Sequence, residues 1–150
     1  TALDVMVQAQ ILKAMAELRA ELDLSMMLIT HDLSVIAQTC DSIAVMYAGK
    51  IAEYGSVYDV YGTPVHLYAA GLVKSFPNIH AERSAVRSLP GFHPNLLAPP
   101  SGCRFHPRCP LADEECMKEE PVLREVAKTG HMAACHKAEI VQQGVDIWAQ

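Results

Sequence analysis

No phosphate-cradling glycine loop is present. None of the eight glycines stands in the order Gly, four residues, Gly-Lys-Ser/Thr, and no two glycines are adjacent. The apolar stretches are short and interrupted by polar residues, which excludes a membrane-spanning helix. Positive charge is scarce: 12 Lys and Arg against 17 Asp and Glu give a net charge of -5, which argues against broad binding of a nucleic-acid backbone. Aromatics make up only 6%, and the single tryptophan, Trp148, is expected to fray or to pack on the smaller C-terminal region. No secretory leader is expected, and no repeat or low-complexity tract occurs.

What is present is a globular composition. With 150 residues, 51% apolar and 19% charged, a core is within reach, as one domain or two small pieces. Five cysteines without a leader fit a reducing compartment, where clustered thiols bind metal more often than they pair.

The two halves differ in pattern, and the spacing predicts an α/β region over residues 1–75 followed by a loop-rich region over 76–150. Val7, Ile11, Met15, Leu18 and Leu22 form one apolar helical stripe, with Lys13 and Glu17 one turn apart on the polar side. Met26-Met27-Leu28-Ile29 reads as a strand covered on both faces. Asp32 is placed to cap a short helix from Leu33 to about Thr39. Ile43–Tyr47 and Ile51–Tyr54 read as a hairpin through Ala48-Gly49-Lys50, and Pro64 is expected to open a last helix carrying Leu67, Ala70, Gly71 and Val73 inward. Seven of the nine prolines then fall between Pro77 and Pro110, which forbids long helices or central strands there. A domain boundary is expected near Ser75, with Phe76–Ala98 as a linker.

His31 follows the expected strand directly. Ligands gather at the carboxyl ends of strands in open α/β sheets, and a neutral imidazole there can bond a terminal phosphate or an attacking water. The plainer reading is a histidine bonding a nearby carbonyl. Asp4, likewise, reads plainly as a carboxylate at the positive end of a helix.

The segments TALDVMVQAQI (Thr1–Ile11), LITHDL (Leu28–Leu33) and SIAVMYAGKIAEYG (Ser42–Gly55) together resemble an ATP-binding cassette (ABC) ATPase of the oligopeptide/dipeptide transporter type, from its D-loop onward. The resemblance implies part of a P-loop NTPase fold, with Ala2, Leu3 and Asp4 as the D-loop at a dimer interface. His31 would be the switch histidine that contacts the γ-phosphate of ATP. The phosphate loop, the signature glycines, the magnesium-binding Asp and the catalytic Glu would all belong upstream of Thr1, so this polypeptide alone is not expected to hydrolyse ATP. The implied partners are a second ATPase subunit, two transmembrane permease subunits and, indirectly, an extracytoplasmic peptide-binding protein, with no nucleic acid. The implied location is peripheral, on the cytoplasmic face of the membrane.

Cys103, Cys109, Cys116 and Cys135 lie in the proline-rich, core-poor half, spaced by five, six and eighteen residues. Four soft thiolates suit zinc or an iron–sulfur cluster, and the spacing matches neither a C-x2-C knuckle nor a ferredoxin run. His106, His131 and His136 are alternative ligands or plain loop residues. The run Pro99–Pro110, with Glu120-Pro121, Gly130-His131 and Ala134-Cys135-His136, is similar to the C-terminal extension of peptide-transporter ATPases. By that resemblance the four cysteines hold a [4Fe-4S] cluster, with zinc as the alternative. His66-Leu67-Tyr68 departs from the family's His-Pro-Tyr. Cys40 is expected to be a small buried apolar residue, and Arg104 and Arg108 to screen the cluster's charge. A reading from another class is a free-standing metal-binding or redox protein whose first half is scaffold.

Overall fold

A computed structural model describes residues 4–75, 89, 91–127 and 130–143. Ala2, Leu3, most of the expected linker and Trp148 lie outside them. The chain forms two compact units, 1–41 and 42–150.

The first unit is helical. Helix α1 (Val5–Glu21) starts where Asp4 accepts the Met6 N–H at 3.2 Å, and the Lys13–Glu17 pair sits on its outer face at 3.9 Å. Its stripe forms as the periodicity predicts, yet Val7, Ile11, Leu18 and Leu22 are exposed. Helix α2 (Leu33–Thr39) is capped by Asp32, whose Oδ1 accepts the N–H groups of Ser34 and Val35. The strand expected at Met26–Ile29 does not form, and residues 4–41 hold no strand among those described. A strand needs a neighbour to take its N–H and C=O groups. Here none is supplied, and Met27 and Ile29 stand 88% and 91% exposed.

The second unit is built on a four-stranded antiparallel sheet, β1 (Ser42–Tyr47), β2 (Lys50–Ser56), β4 (His131–Ala133) and β3 (Arg124–Ala127), in that spatial order. The predicted hairpin is its foundation. Ala48 and Gly49 turn it with φ of 48° and 80°, as a two-residue loop between right-twisted strands requires. Beyond Val45 the register shifts, and Ala52 is the extra residue of a bulge. Ala52 and Glu53 are consequently both buried, while β1 alternates between exposed and buried.

Two helices not separated by the sequence reading follow. Helix α3 (Val57–Gly62) is capped by Ser56, and α4 (Leu67–Lys74) by His66 rather than opened by Pro64. Because β2 pairs with β4, segments from both sides of Ser75 share one sheet. The division therefore falls between Asp41 and Ser42, in place of the boundary expected near Ser75. The fold is mixed α and β, built on a four-stranded antiparallel sheet.

Tyr47, Ala52, Leu67, Phe105 and Val141 form a core cluster. Phe105 meets Tyr47 edge-on with ring centres 5.2 Å apart, which anchors the cysteine-bearing loop to the hairpin. Arg104 donates to the Ala48 carbonyl, and Arg108 lies over the Tyr47 ring at 5.9 Å while donating to the Leu89 carbonyl at 3.2 Å. Both arginines therefore fasten the loop to the hairpin and its surroundings.

Candidate functional site

His31 sits on an anchored turn. The Asp32 N–H donates to Thr30 Oγ1 at 3.0 Å, and Asp32 Oδ1 accepts from Ser34 N and Oγ at 2.9 and 2.6 Å. The Ser34 hydroxyl is the main reason that the Asp32 carboxyl is held below its usual value, with nearby His31 adding slightly. The His31 ring itself is exposed and makes no hydrogen bond or ion pair among the described residues. The backbone on its C-terminal side is fixed while its nitrogens remain available. Asp4 is exposed too, with Oδ1 committed to α1 and no bond to His31.

Local hydrogen bonding positions each of the four cysteines. The Cys103 N–H donates to the Cys116 carbonyl at 2.8 Å. That approach requires Gly102, at φ +64°, because a Cβ there would stand 2.5 Å from the same carbonyl oxygen. A 3₁₀ turn, His106–Arg108, then delivers Cys109, whose N–H bonds the His106 carbonyl at 3.2 Å. Helix α5 (Glu114–Lys118) carries Cys116, its N–H capped by Asp113 at 3.1 Å. Cys135 follows β4, and the Lys137 N–H, just before α6 (Ala138–Gln142), donates to its Sγ at 3.3 Å. Lys137 Nζ reaches Asp113 at 2.5 Å and Glu115 at 3.3 Å, clasping the Cys135 segment to α5.

All four thiols are free. Burial pushes the Cys109 thiol up to about 11 and Cys135 up to about 12, and charge on the other cysteines adds to both. Cys103 and Cys116 are raised for the same first reason. Four soft donors carried by one compact unit suit a thiolate-bound metal in chemistry. Among the described residues no group of three or more His, Cys, Asp or Glu side chains is gathered to hold a metal ion.

The candidate histidines are engaged elsewhere. His106 Nδ1 lies 3.0 Å from the Cys103 carbonyl, and His136 Nε2 lies 3.0 Å from the Glu119 carbonyl. His131, read as a loop residue or ligand, is buried on β4 against Glu53. Cys40 is half-buried beside the Thr39 hydroxyl at 3.6 Å. Among the described residues no helix is long and apolar enough to cross a membrane.

Residues 52–116 match the family described as "Oligopeptide/dipeptide transporter, C-terminal region". The match runs from β2 to α5 and includes three of the four clustered cysteines. The chain is 46% identical over 137 residues to the oligopeptide transport ATP-binding protein OppD of Salmonella typhimurium, covering 91% of this chain and 40% of that protein. It is 42% identical over 139 residues to the dipeptide transport ATP-binding protein DppD of Caldanaerobacter subterraneus, covering 93% and 42%. To the dipeptide transport ATP-binding protein DppD of Escherichia coli it is 39% identical over 136 residues, covering 91% and 41%. The chain thus spans about two fifths of the length of these curated relatives.

Proposed function

We propose that this chain is the C-terminal part of the ATP-binding subunit of an ABC-type importer of dipeptides or oligopeptides. The observation that carries the reading is similarity to peptide-transport ATP-binding proteins over about nine tenths of the chain. That similarity extends through the first unit as well as the cysteine-bearing one, which disfavours a free-standing metal protein with an idle scaffold.

In the complete subunit, residues outside this chain would bind ATP and magnesium. This chain's contribution is to sense and to couple. His31 offers an imidazole nitrogen to a γ-phosphate oxygen or to the attacking water, from a turn fixed by Asp32 and Thr30. Asp4 has one carboxylate oxygen committed to α1, which leaves the other for the partner ATPase subunit. Ala2 and Leu3 would complete that contact. Closure of the ATPase pair would then move two permease subunits between inward- and outward-open states at the cytoplasmic face of the membrane. Peptide would reach them from an extracytoplasmic binding protein.

Cys103, Cys109, Cys116 and Cys135 are proposed to hold a metal centre, a [4Fe-4S] cluster or, as the alternative, zinc. The Cys103 N–H bond to the Cys116 carbonyl and the Lys137 N–H on Cys135 Sγ support this. A bound centre would supply a cross-link between the loop and β4.

The test of function is uptake. Proteoliposomes holding the complete subunit, its partner ATPase and the permeases should accumulate labelled peptide only with ATP and the binding protein present. ATP-dependent handling of nucleic acid without peptide uptake would overturn the reading. Iron, zinc and sulfide analysis after anaerobic purification tests the cysteine assignment. Absence of all three from the complete subunit would remove it.

A further inference from the structure

A cavity of about 660 Å³ opens beside the turn of the β1–β2 hairpin, within the second unit. Its walls are largely apolar, with Ile51, Phe105, Val122 and Leu123 among them. Only one of the four clustered thiols, Cys103, contributes to the lining, so the cavity is not the centre of the cysteine group.

One polar side chain in this wall is both buried and unsatisfied. His66 is 3% exposed, and its Nδ1 accepts the Tyr68 N–H at 3.0 Å. A ring that accepts at Nδ1 carries its proton on Nε2 when neutral. Burial holds His66 in that neutral form, down to about 4. Nε2–H has no partner among the described residues, and a buried donor without an acceptor costs about 1–3 kcal/mol.

The charge around the opening has one sign in excess. Lys50 and Glu120, both lining residues, pair at 2.7 Å. Arg104, also in the wall, spends one N–H on the Ala48 carbonyl and keeps its remaining donors. A site of this size, mostly apolar with a few convergent polar groups, has the composition of a small-molecule pocket.

We propose that this cavity binds a small apolar carboxylate, its hydrocarbon body against Phe105, Val122 and Leu123 and its head accepting from both Arg104 and His66 Nε2–H. Such a ligand would bridge the hairpin turn and the 103–123 loop, making the site a point where a metabolite acid can stiffen the cysteine-bearing unit.

Three probes of one shape test it on the full chain: phenylpropanoate, phenylpropanol and phenylpropylammonium, titrated by calorimetry and by the His66 Nε2–H resonance. The acid should bind saturably and shift that resonance. The alcohol should bind about tenfold more weakly and the ammonium more weakly still. Arg104→Gln should bring the acid's affinity down to that of the alcohol. Val122→Trp, at a position 77% exposed, should abolish binding of all three without lowering the urea-unfolding midpoint followed by far-ultraviolet circular dichroism. Equal binding of the three probes, no saturable binding of the acid, or an acid affinity untouched by Val122→Trp would overturn the proposal.

Discussion

His131 Nε2 lies 2.7 Å from Glu53 Oε1, and neither side chain reaches solvent. The same carboxylate accepts the Val65 N–H at 3.0 Å and the His66 N–H at 2.7 Å. One buried group thereby ties β2, the entrance to α4 and β4 together, and β4 leads within two residues to Cys135. Glu53→Ala would strand two backbone donors and an imidazole in a dry interior. A loss of about 3–5 kcal/mol is expected in urea unfolding. Combined with His131→Ala, the losses should be strongly non-additive, since both remove one network.

Stability should also depend on pH through His66. Its ring is pushed down from 6.5 to about 4 by burial, so the unfolded chain takes up a proton first as pH falls. The contribution is fully present above pH 6.5 and is lost progressively toward pH 4, by about 3 kcal/mol in all. Glu53 acts in the opposite sense: burial raises its carboxyl above 4.5, so its contribution is greatest below that pH and declines as pH rises past it. His66→Asn keeps an acceptor for the α4 cap and removes the titrating ring. Unfolding free energies from pH 5 to 7 should slope less steeply in the variant than in the parent.

Gly102→Ala should damage the cysteine neighbourhood specifically. The residue sits at φ +64°, and a Cβ would meet the Cys116 carbonyl at 2.5 Å and the Met117 backbone at 2.7 Å. Backbone has to move, at an expected cost of about 1–3 kcal/mol. Amide exchange at Cys103 should accelerate, because its N–H bond to Cys116 is the contact forced apart.

Local signals in the sequence were legible. The hairpin, the α1 stripe and the Asp32 cap all rest on residues within a turn or two of each other, and each forms where the pattern put it. The Glu53 network was not legible, because its donors come from positions 12, 13 and 78 residues away. A glutamate in an otherwise apolar run, Ile51-Ala52-Glu53-Tyr54, was the available signal, and the bulge at Ala52 turns it inward. The capping role of His66 was not legible because Pro64 is the natural helix opener, whereas the imidazole two residues later accepts the Tyr68 N–H. The strand at Met26–Ile29 failed for a different reason. Its apolar run reads as a segment covered on both faces, but residues 4–41 supply no strand to pair with it, and Met27 and Ile29 are exposed.

The most direct measurement is ATP hydrolysis by the complete ATP-binding subunit, with its partner, carrying His31→Ala. The account predicts a turnover lowered by about a hundredfold or more with nucleotide affinity nearly unchanged, as removal of a group acting on the transferring phosphate requires. Turnover equal to that of the parent subunit would contradict it.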